Sequence, residues 1–365
     1  MKKLMIDARW LDSGIGAYIL NIVRGLRQSD GFEPRLLTLS KHVETLKPFG
    51  FGVAVDDSPI YSVEEQWKVM RAASECELLH VPHYNAPLLR RGCLLITIHD
   101  LLHIVDPVHR KRLASWIYAQ PVMRLAARRA DHIFTVSEYS KRQISELLSI
   151  DAEKITVTYS GVGPHIYPED RAEAKKSITK DFGITEPFLL FVGNLKPNKN
   201  VGGLLEAFSV LVTRRRILHK LMIVGDDSQF RPLLEQSAHD LGIAARVVFA
   251  RRISNEQVRR AYSAADLTVL PSFEEGFGLP VVESMACGTP VTCSSVASLP
   301  EVGGDAAEYF TPSNTDSIVA AMERVLLNSE RWTEMHDRGF EQAARFTWLG
   351  CAVRHFPVYQ KFLSN

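Results

Sequence analysis

Leu270-Pro-Ser-Phe-Glu-Glu-Gly-Phe-Gly-Leu-Pro-Val-Val-Glu-Ser-Met-Ala-Cys-Gly-Thr-Pro-Val291 is the stretch that decides the fold. An apolar run from Ala265 to Pro271 reads as a buried strand. It enters a loop holding Glu274, Glu275, Gly276 and Gly278, and Pro280 then sets the first turn of a helix that stops at Gly288. Strand, glycine loop and helix N-terminus together aim backbone N–H groups and the positive end of a helix dipole at one point, where an anion such as phosphate is held most easily. Glu275 in the loop and Glu283 one turn into the helix cannot bind that anion, because like charges repel. Two carboxylates in such a place accept hydrogen bonds from hydroxyls, as a sugar or a ribose offers. The competing reading is a helix whose acidic residues only complement its dipole.

Around this stretch the composition sets bounds. A chain of 365 residues exceeds one α/β core of usual size, so two domains are expected. Lys plus Arg (43) nearly equals Asp plus Glu (42), which gives no argument for a nucleic-acid partner. The five cysteines (76, 93, 287, 293 and 351) form no Cys-x-x-Cys and sit mostly in apolar surroundings, as buried thiols in a reducing compartment do. The N-terminal Met-Lys-Lys-Leu-Met-Ile-Asp is too short an apolar run for a signal peptide. No stretch reaches the roughly 18 apolar residues of a spanning helix, so a cytoplasmic protein, at most peripheral to the inner face of the membrane, is expected.

Short apolar runs alternate with helical patterns along the whole chain. Leu4 to Ala8, Arg35 to Leu39, Leu78 to Val81, Leu94 to Ile98, His132 to Val136 and Ile155 to Tyr159 form a first series. Phe188 to Val192, Leu221 to Val224, Arg246 to Phe249, Leu267 to Leu270, Pro290 to Cys293 and Ala307 to Phe310 form a second. Such alternation predicts α/β architecture: two doubly wound, Rossmann-like domains with ligands at the carboxyl ends of the strands. The proline- and charge-rich passage that begins at Tyr167 and runs through a helical, mixed-charge segment to Pro187 reads as the linker. The expected domains are therefore 1–168 and 169–345, with a tail helix in 346–365 whose apolar spacing survives Pro357.

Glu275 and Glu283, set in Pro-Ser-x-x-Glu-Gly-Phe-Gly-Leu-Pro-x-x-Glu-x-Met-Ala-x-Gly-x-Pro-Val, resemble the signature of retaining glycosyltransferase family 4. That resemblance implies the GT-B fold, two Rossmann-like domains facing a cleft, the first (1–168) binding the acceptor and the second (169–345) the nucleotide sugar, with the tail helix crossing back to the first. It also implies that Glu275 contacts the donor sugar, that Glu283 contacts the ribose, and that the backbone of Gly276, Phe277, Gly278 and Leu279 meets the distal phosphate. In the loop Gly193-Asn194-Leu195-Lys196-Pro197-Asn198-Lys199, Lys199 matches the family's lysine on the diphosphate. Asn194 stands where the family often has arginine, and Lys196 is the candidate second cation. A lysine here can neutralise charge that grows on the diphosphate as the glycosidic bond breaks. By the same resemblance Gly225 and Arg251 line the nucleotide pocket, and Gly14 and Gly16, which from spacing alone also fit a plain tight turn, face the donor.

His99, at the end of the strand Leu94 to Ile98, is carried over as an active-site residue facing the reacting sugar, against the alternative of a core histidine. Ser137 and Ser140 line the cleft by resemblance, although Ser137 also fits an N-cap. His80-x-x-His83 and the pair His99 and His103 have spacings that suit metal, but neither has a motif glutamate beside it and the chain has no Asp-x-Asp. No metal site and no cofactor are therefore expected. Residues 107–130 carry Arg110, Lys111, Arg112, Arg124, Arg128 and Arg129 with interleaved aromatic and aliphatic residues. They fit an anionic membrane surface, a diphosphate-linked acceptor or an ordinary solvated face.

The run His99-Asp100-Leu101 and the loop Gly193 to Asn200 are similar to bacterial polysaccharide and O-antigen mannosyltransferases. The implied activity is metal-independent, retaining transfer of a hexose from a nucleotide sugar, GDP-mannose first, to a glycan or polyprenyl-diphosphate-linked acceptor. UDP-, dTDP- and ADP-sugars remain alternative donors. A nucleotide-sugar epimerase of the same fold and a sugar-binding protein of the periplasmic type are the competing classes.

Overall fold

The computed structural model describes residues 2–27, 31–105 and 113–364, with the backbone alone for 113–119. The chain divides into two compact units, residues 1–161 with 347–365, and residues 162–346. It passes from one to the other at Gly161, ahead of the boundary expected after 168. The passage to Pro187 is part of the second unit and not a linker: its helical segment is the helix Arg171–Phe182, whose Ala174 and Ile178 are buried there. Asp170 caps that helix by accepting from the Glu173 N–H at 2.9 Å.

The first unit holds β1 (Lys2–Asp7), β2 (Phe32–Thr38), β3 (Gly52–Val55), β4 (Leu78–Val81), β5 (Cys93–Thr97), β6 (His132–Thr135) and β7 (Ile155–Val157). They pair in parallel in the order β3-β2-β1-β4-β5-β6-β7. The second unit holds β8 (Phe188–Val192), β9 (Lys220–Val224), β10 (Val247–Ala250), β11 (Leu267–Leu270), β12 (Val291–Ser294) and β13 (Ala307–Phe310), in the order β10-β9-β8-β11-β12-β13. Helices cover both sheets, so the central strands are buried on both faces and read as continuous apolar runs such as Leu189-Leu190-Phe191. In each sheet the order reverses once, between β1 and β4 and between β8 and β11. The loops leaving those neighbours diverge and open a crevice at the carboxyl ends.

The helix Trp348–Ser364 belongs to the first unit. Its His355 and Tyr359 are fully buried in a polar network against the sheet. The Tyr18 hydroxyl lies 2.9 Å from His355 Nε2, the Tyr359 hydroxyl 2.7 Å from His80 Nδ1, and His80 Nε2 is 2.9 Å from the Thr97 hydroxyl. A fully bonded buried network fixes the register of the helix, because every alternative seating strands a polar group.

Burial depresses the basicity of several histidines of this unit, to about 3 at His355 and His83 and about 4 at His99 and His132. An unfolded histidine titrates near 6.5, so below that pH the unfolded chain binds more protons than the folded one. The stability supplied by the neutral rings is complete above about pH 6.5 and is lost as the pH falls toward 4, at about 1.4 kcal/mol per pH unit for each ring. Acidification should therefore unfold the first unit ahead of the second. Proteolysis between pH 7 and 4, with cleavage sites read by mass spectrometry, checks this: cuts confined to the second unit would contradict it.

Candidate active site

The crevice at the end of β8 and β11 collects most of the residues singled out in the second unit. Lys199 Nζ contacts Glu275 Oε1 at 2.6 Å, and the Ser272 hydroxyl donates to the same oxygen at 2.7 Å. Both charged side chains are largely withdrawn from water, 15% and 9% exposed, which strengthens their attraction relative to a surface pair. The two loops are also joined by backbone. The Phe273 N–H donates to the Asn198 carbonyl at 2.8 Å, and Asn198 Nδ2 to the Glu274 carbonyl at 3.4 Å. Lys199 is thus placed on the glutamate loop by contacts that do not involve its own side chain.

Beyond the loop, the helix Leu279–Ala286 opens with Pro280 in its first turn, where a missing N–H costs nothing. The Ser298 hydroxyl bridges the carbonyls of Glu275 and Phe277, at 3.0 and 2.9 Å, and holds the loop against the helix start. Glu283 Oε2 accepts from the Tyr262 hydroxyl at 3.0 Å. Burial pushes the Glu283 carboxyl above its ordinary range, and that hydrogen bond works in the opposite sense.

Gly193 and Gly225 end β8 and β9 side by side. A Cβ on Gly225 would fall 1.8 Å from the Gly193 carbonyl oxygen, so only glycine permits this approach. The Gly225 N–H in turn bonds the Ala250 carbonyl at 3.0 Å, which brings exposed Arg251 to the same end of the sheet. Asn194 and Lys196 are exposed on the β8 loop, where Asn194 Oδ1 accepts from the Lys196 N–H at 3.2 Å. Lys196 and Arg251 are thus exposed at this end of the sheet, whereas Lys199 is largely covered.

In the first unit, His99 leaves β5 with Nε2 3.2 Å from the Pro82 carbonyl and its ring edge-on to Tyr18 at 4.7 Å. Donation from Nε2 leaves Nδ1 as an acceptor, and the depressed basicity keeps the ring neutral at physiological pH. Ser137 accepts from the Ser140 N–H at 3.0 Å and caps the helix Glu138–Leu148; both serines are buried, so the capping role is the one their geometry displays. A Cβ on Gly16 would lie 2.0 Å from the Leu11 carbonyl oxygen, which explains that glycine by the tight turn alone, while Gly14 has open space around it. His80 and His83 part company: the first joins the buried network above, and the second stacks on Trp10. Among the described residues no group of three or more His, Cys, Asp or Glu side chains is arranged to hold a metal ion.

Two family models match the chain, Glycosyltransferase Family 4 over residues 13–165 and Glycosyl transferases group 1 over residues 174–342. O-antigen chain mannosyltransferase B of Escherichia coli is 31% identical over 290 residues, 78% of this chain and 74% of that protein. The chain belongs to glycosyltransferase family 4. O-antigen chain mannosyltransferase RfbU of Salmonella typhimurium is 27% identical over 266 residues, covering 73% and 69% of the two chains. The Anabaena Alr3699/HepE structure in complex with UDP-glucose superposes with a TM-score of 0.81 at 18% identity, over 99% of this chain and all of that one, and shares the GT-B class of two Rossmann-like domains.

Within this family frame three polar residues escaped the sequence reading. Tyr262 is 21 positions before its partner Glu283, and nothing in its own helix marks it. Ser298 lies in the turn before the helix Leu299–Gly303 and looks like an ordinary cap. Ser272 stands inside the decisive stretch itself and was legible as part of the motif, but not as the residue that fixes the Glu275 carboxylate.

Residues 107–130 are described in part. Arg110, Lys111 and Arg112 lie outside the described residues. Over the remainder, Met123, Ala126, Ala127 and Ala130 face the core. The Arg129 guanidinium donates to the carbonyls of Arg90 and Gly92 and so ties its helix to that loop, with its side chain still partly exposed. Leu125 and Arg128 are exposed and Arg124 half-buried. Among the described residues no helix is long and apolar enough to cross a membrane.

Proposed function

We propose that the protein is a retaining hexosyltransferase that moves mannose from GDP-mannose onto a glycan or a polyprenyl-diphosphate-linked acceptor in cell-surface polysaccharide synthesis, without metal or cofactor. The observation that carries the reading is the Lys199–Glu275 contact at the reversal point of the second sheet, beside a helix N-terminus. A cation and a helix dipole suit a diphosphate; carboxylates on the same loop and helix suit the hydroxyls of sugar and ribose.

In this reading Lys199 and the amide end of Leu279–Ala286 take up the charge of the departing diphosphate. Glu275 orients the sugar, Glu283 with Tyr262 holds the ribose, and Lys196 and Arg251 attract the donor. The Ser272 hydroxyl serves to fix the Glu275 carboxylate, and in this reading the acceptor attacks the face that the phosphate leaves while a phosphate oxygen takes its proton. Neutral His99 accepts a hydrogen bond from a sugar hydroxyl through Nδ1. Mannose is favoured by the names of the two relatives above, and a UDP-sugar is the second reading because HepE was solved with UDP-glucose. A thermal-shift panel of GDP-, UDP-, dTDP- and ADP-sugars decides between them. GDP-mannose should give the largest rise in melting temperature, and no response to any nucleotide sugar would overturn the reading.

The proposal extends to the inner face of the membrane, through Arg124 and Arg128. Reversing both to Glu should weaken binding to anionic vesicles by about 1 kcal/mol per charge. Equal sedimentation of parent and variant with such vesicles would leave the stretch an ordinary solvated face.

A further inference from the structure

We infer that the aromatic rings of Trp10, Tyr61 and His83, grouped at the carboxyl ends of β1 and β4 beside two unpartnered buried polar atoms, bind the uncharged terminal sugar of the acceptor glycan. This rests on the transferase reading above. The place is the reversal point of the first sheet, where ligands of such sheets collect. Trp10 stacks on His83 with ring centres 4.2 Å apart and planes inclined by 17°, and Tyr61 stands edge-on to both rings at 5.4 and 6.0 Å. Tyr61 is 44% exposed, whereas Trp10 is 9% exposed and His83 half-buried.

The group is held by a buried ion cluster. Arg9 bonds Asp7, Asp56 and Glu65 at 2.7, 3.1 and 2.8 Å and is itself fully buried. Glu65 Oε2 then accepts from the Tyr61 N–H at 2.6 Å and from Asn85 Nδ2 at 2.8 Å, and His83 Nδ1 accepts from the Asn85 N–H at 3.0 Å. Tyr61 is kept at φ +66°, a conformation that bulky L-residues rarely adopt and that marks sites where the surroundings impose it. The loops that follow β1, β3 and β4 and the helix carrying Glu65 are thus tied together to present one aromatic surface.

Two polar atoms complete the site. Trp10 Nε1 and Asn85 Oδ1 are buried and have no hydrogen-bond partner among the described residues. A buried donor and a buried acceptor left unpaired are costly unless a ligand or solvent meets them, and a pair of hydroxyls on a pyranose does so. Aromatic faces with a few placed polar groups are the usual composition of such a pocket. Charge selects the ligand class. The guanidinium of Arg9 is enclosed by three carboxylates, and His83 is held neutral by burial, so the surface suits a neutral sugar and not a diphosphate.

The test uses the full chain labelled with 5-fluorotryptophan, its Trp10 line assigned through Trp10→Phe, and titrated with the methyl glycosides of mannose, glucose, galactose and N-acetylglucosamine. At least one glycoside should shift the Trp10 line saturably. Tyr61→Ala should weaken that binding by about 3- to 10-fold, the scale of one lost aromatic contact, while the thermal shift by nucleotide sugars is unchanged. Trp10→Phe keeps the ring, loses the N–H, and should weaken the same binding as read by saturation transfer, which keeps the test open if Tyr61→Ala fails to fold. A Trp10 line that answers inorganic pyrophosphate and no glycoside, or unchanged affinity in both variants, would overturn the inference. Glycoside binding without transfer from any nucleotide sugar would support it and overturn the transferase reading instead.

Discussion

Lys199→Ala lowers the turnover number by about 100-fold or more, a loss near 2.7 kcal/mol of the kind seen when one donor to a developing anion is removed. The reason is temporal. The diphosphate gains charge only as the anomeric bond breaks, so a cation aimed at it acts more strongly on the transition state than on the bound donor. Lys199 is suited to this because the Asn198 backbone pins its loop to the glutamate loop and its own side chain is 15% exposed. Glu283→Gln behaves differently: the ribose is the same before and after transfer, so the donor KM rises by about 10-fold with little change in turnover. Donor-saturation kinetics on both variants, with circular dichroism to verify folding, separates the roles. Full turnover in Lys199→Ala would move the phosphate site to Lys196 and Arg251.

Arg9→Met destabilises the first unit by about 3–5 kcal/mol, because it leaves Asp7, Asp56 and Glu65 buried with no cation among them. Burial already pushes the Glu65 carboxyl up, and Arg9 is the charge that opposes it. Chemical denaturation followed by a probe in the first unit measures the loss. A drop below about 1 kcal/mol would mean that the carboxylates find other partners, and the cluster would lose its role of positioning Tyr61 and Asn85.

What the sequence revealed was what local chemistry writes. The strand, glycine loop and proline-led helix of residues 265–288 form from neighbours in the chain, and so does the N-cap at Ser137. The missing strand β3 is a four-residue edge, Gly-Val-Ala-Val, with both faces half-wetted, and so it carries no buried run to announce it. The segment of Arg171–Phe182 was legible as helical but read as part of a linker, because it buries little more than Ala174 and Ile178 beneath a charged surface. Long-range electrostatics left no trace at all. Residues 7, 9, 56 and 65 are ordinary polar letters until the ends of β1 and β3 and a helix come together, and Tyr262 has no mark of its link to Glu283.

The most direct measurement is the anomeric configuration of the product. Purified protein is incubated with GDP-mannose, whose mannose is α-linked, and a mannosyl acceptor in EDTA, and the new anomeric signals are followed by proton and carbon NMR. An α-linked product formed at full rate in the chelator is the expected result. A β-linked product, or transfer that returns only when magnesium or manganese is restored, would contradict same-face displacement assisted by Lys199.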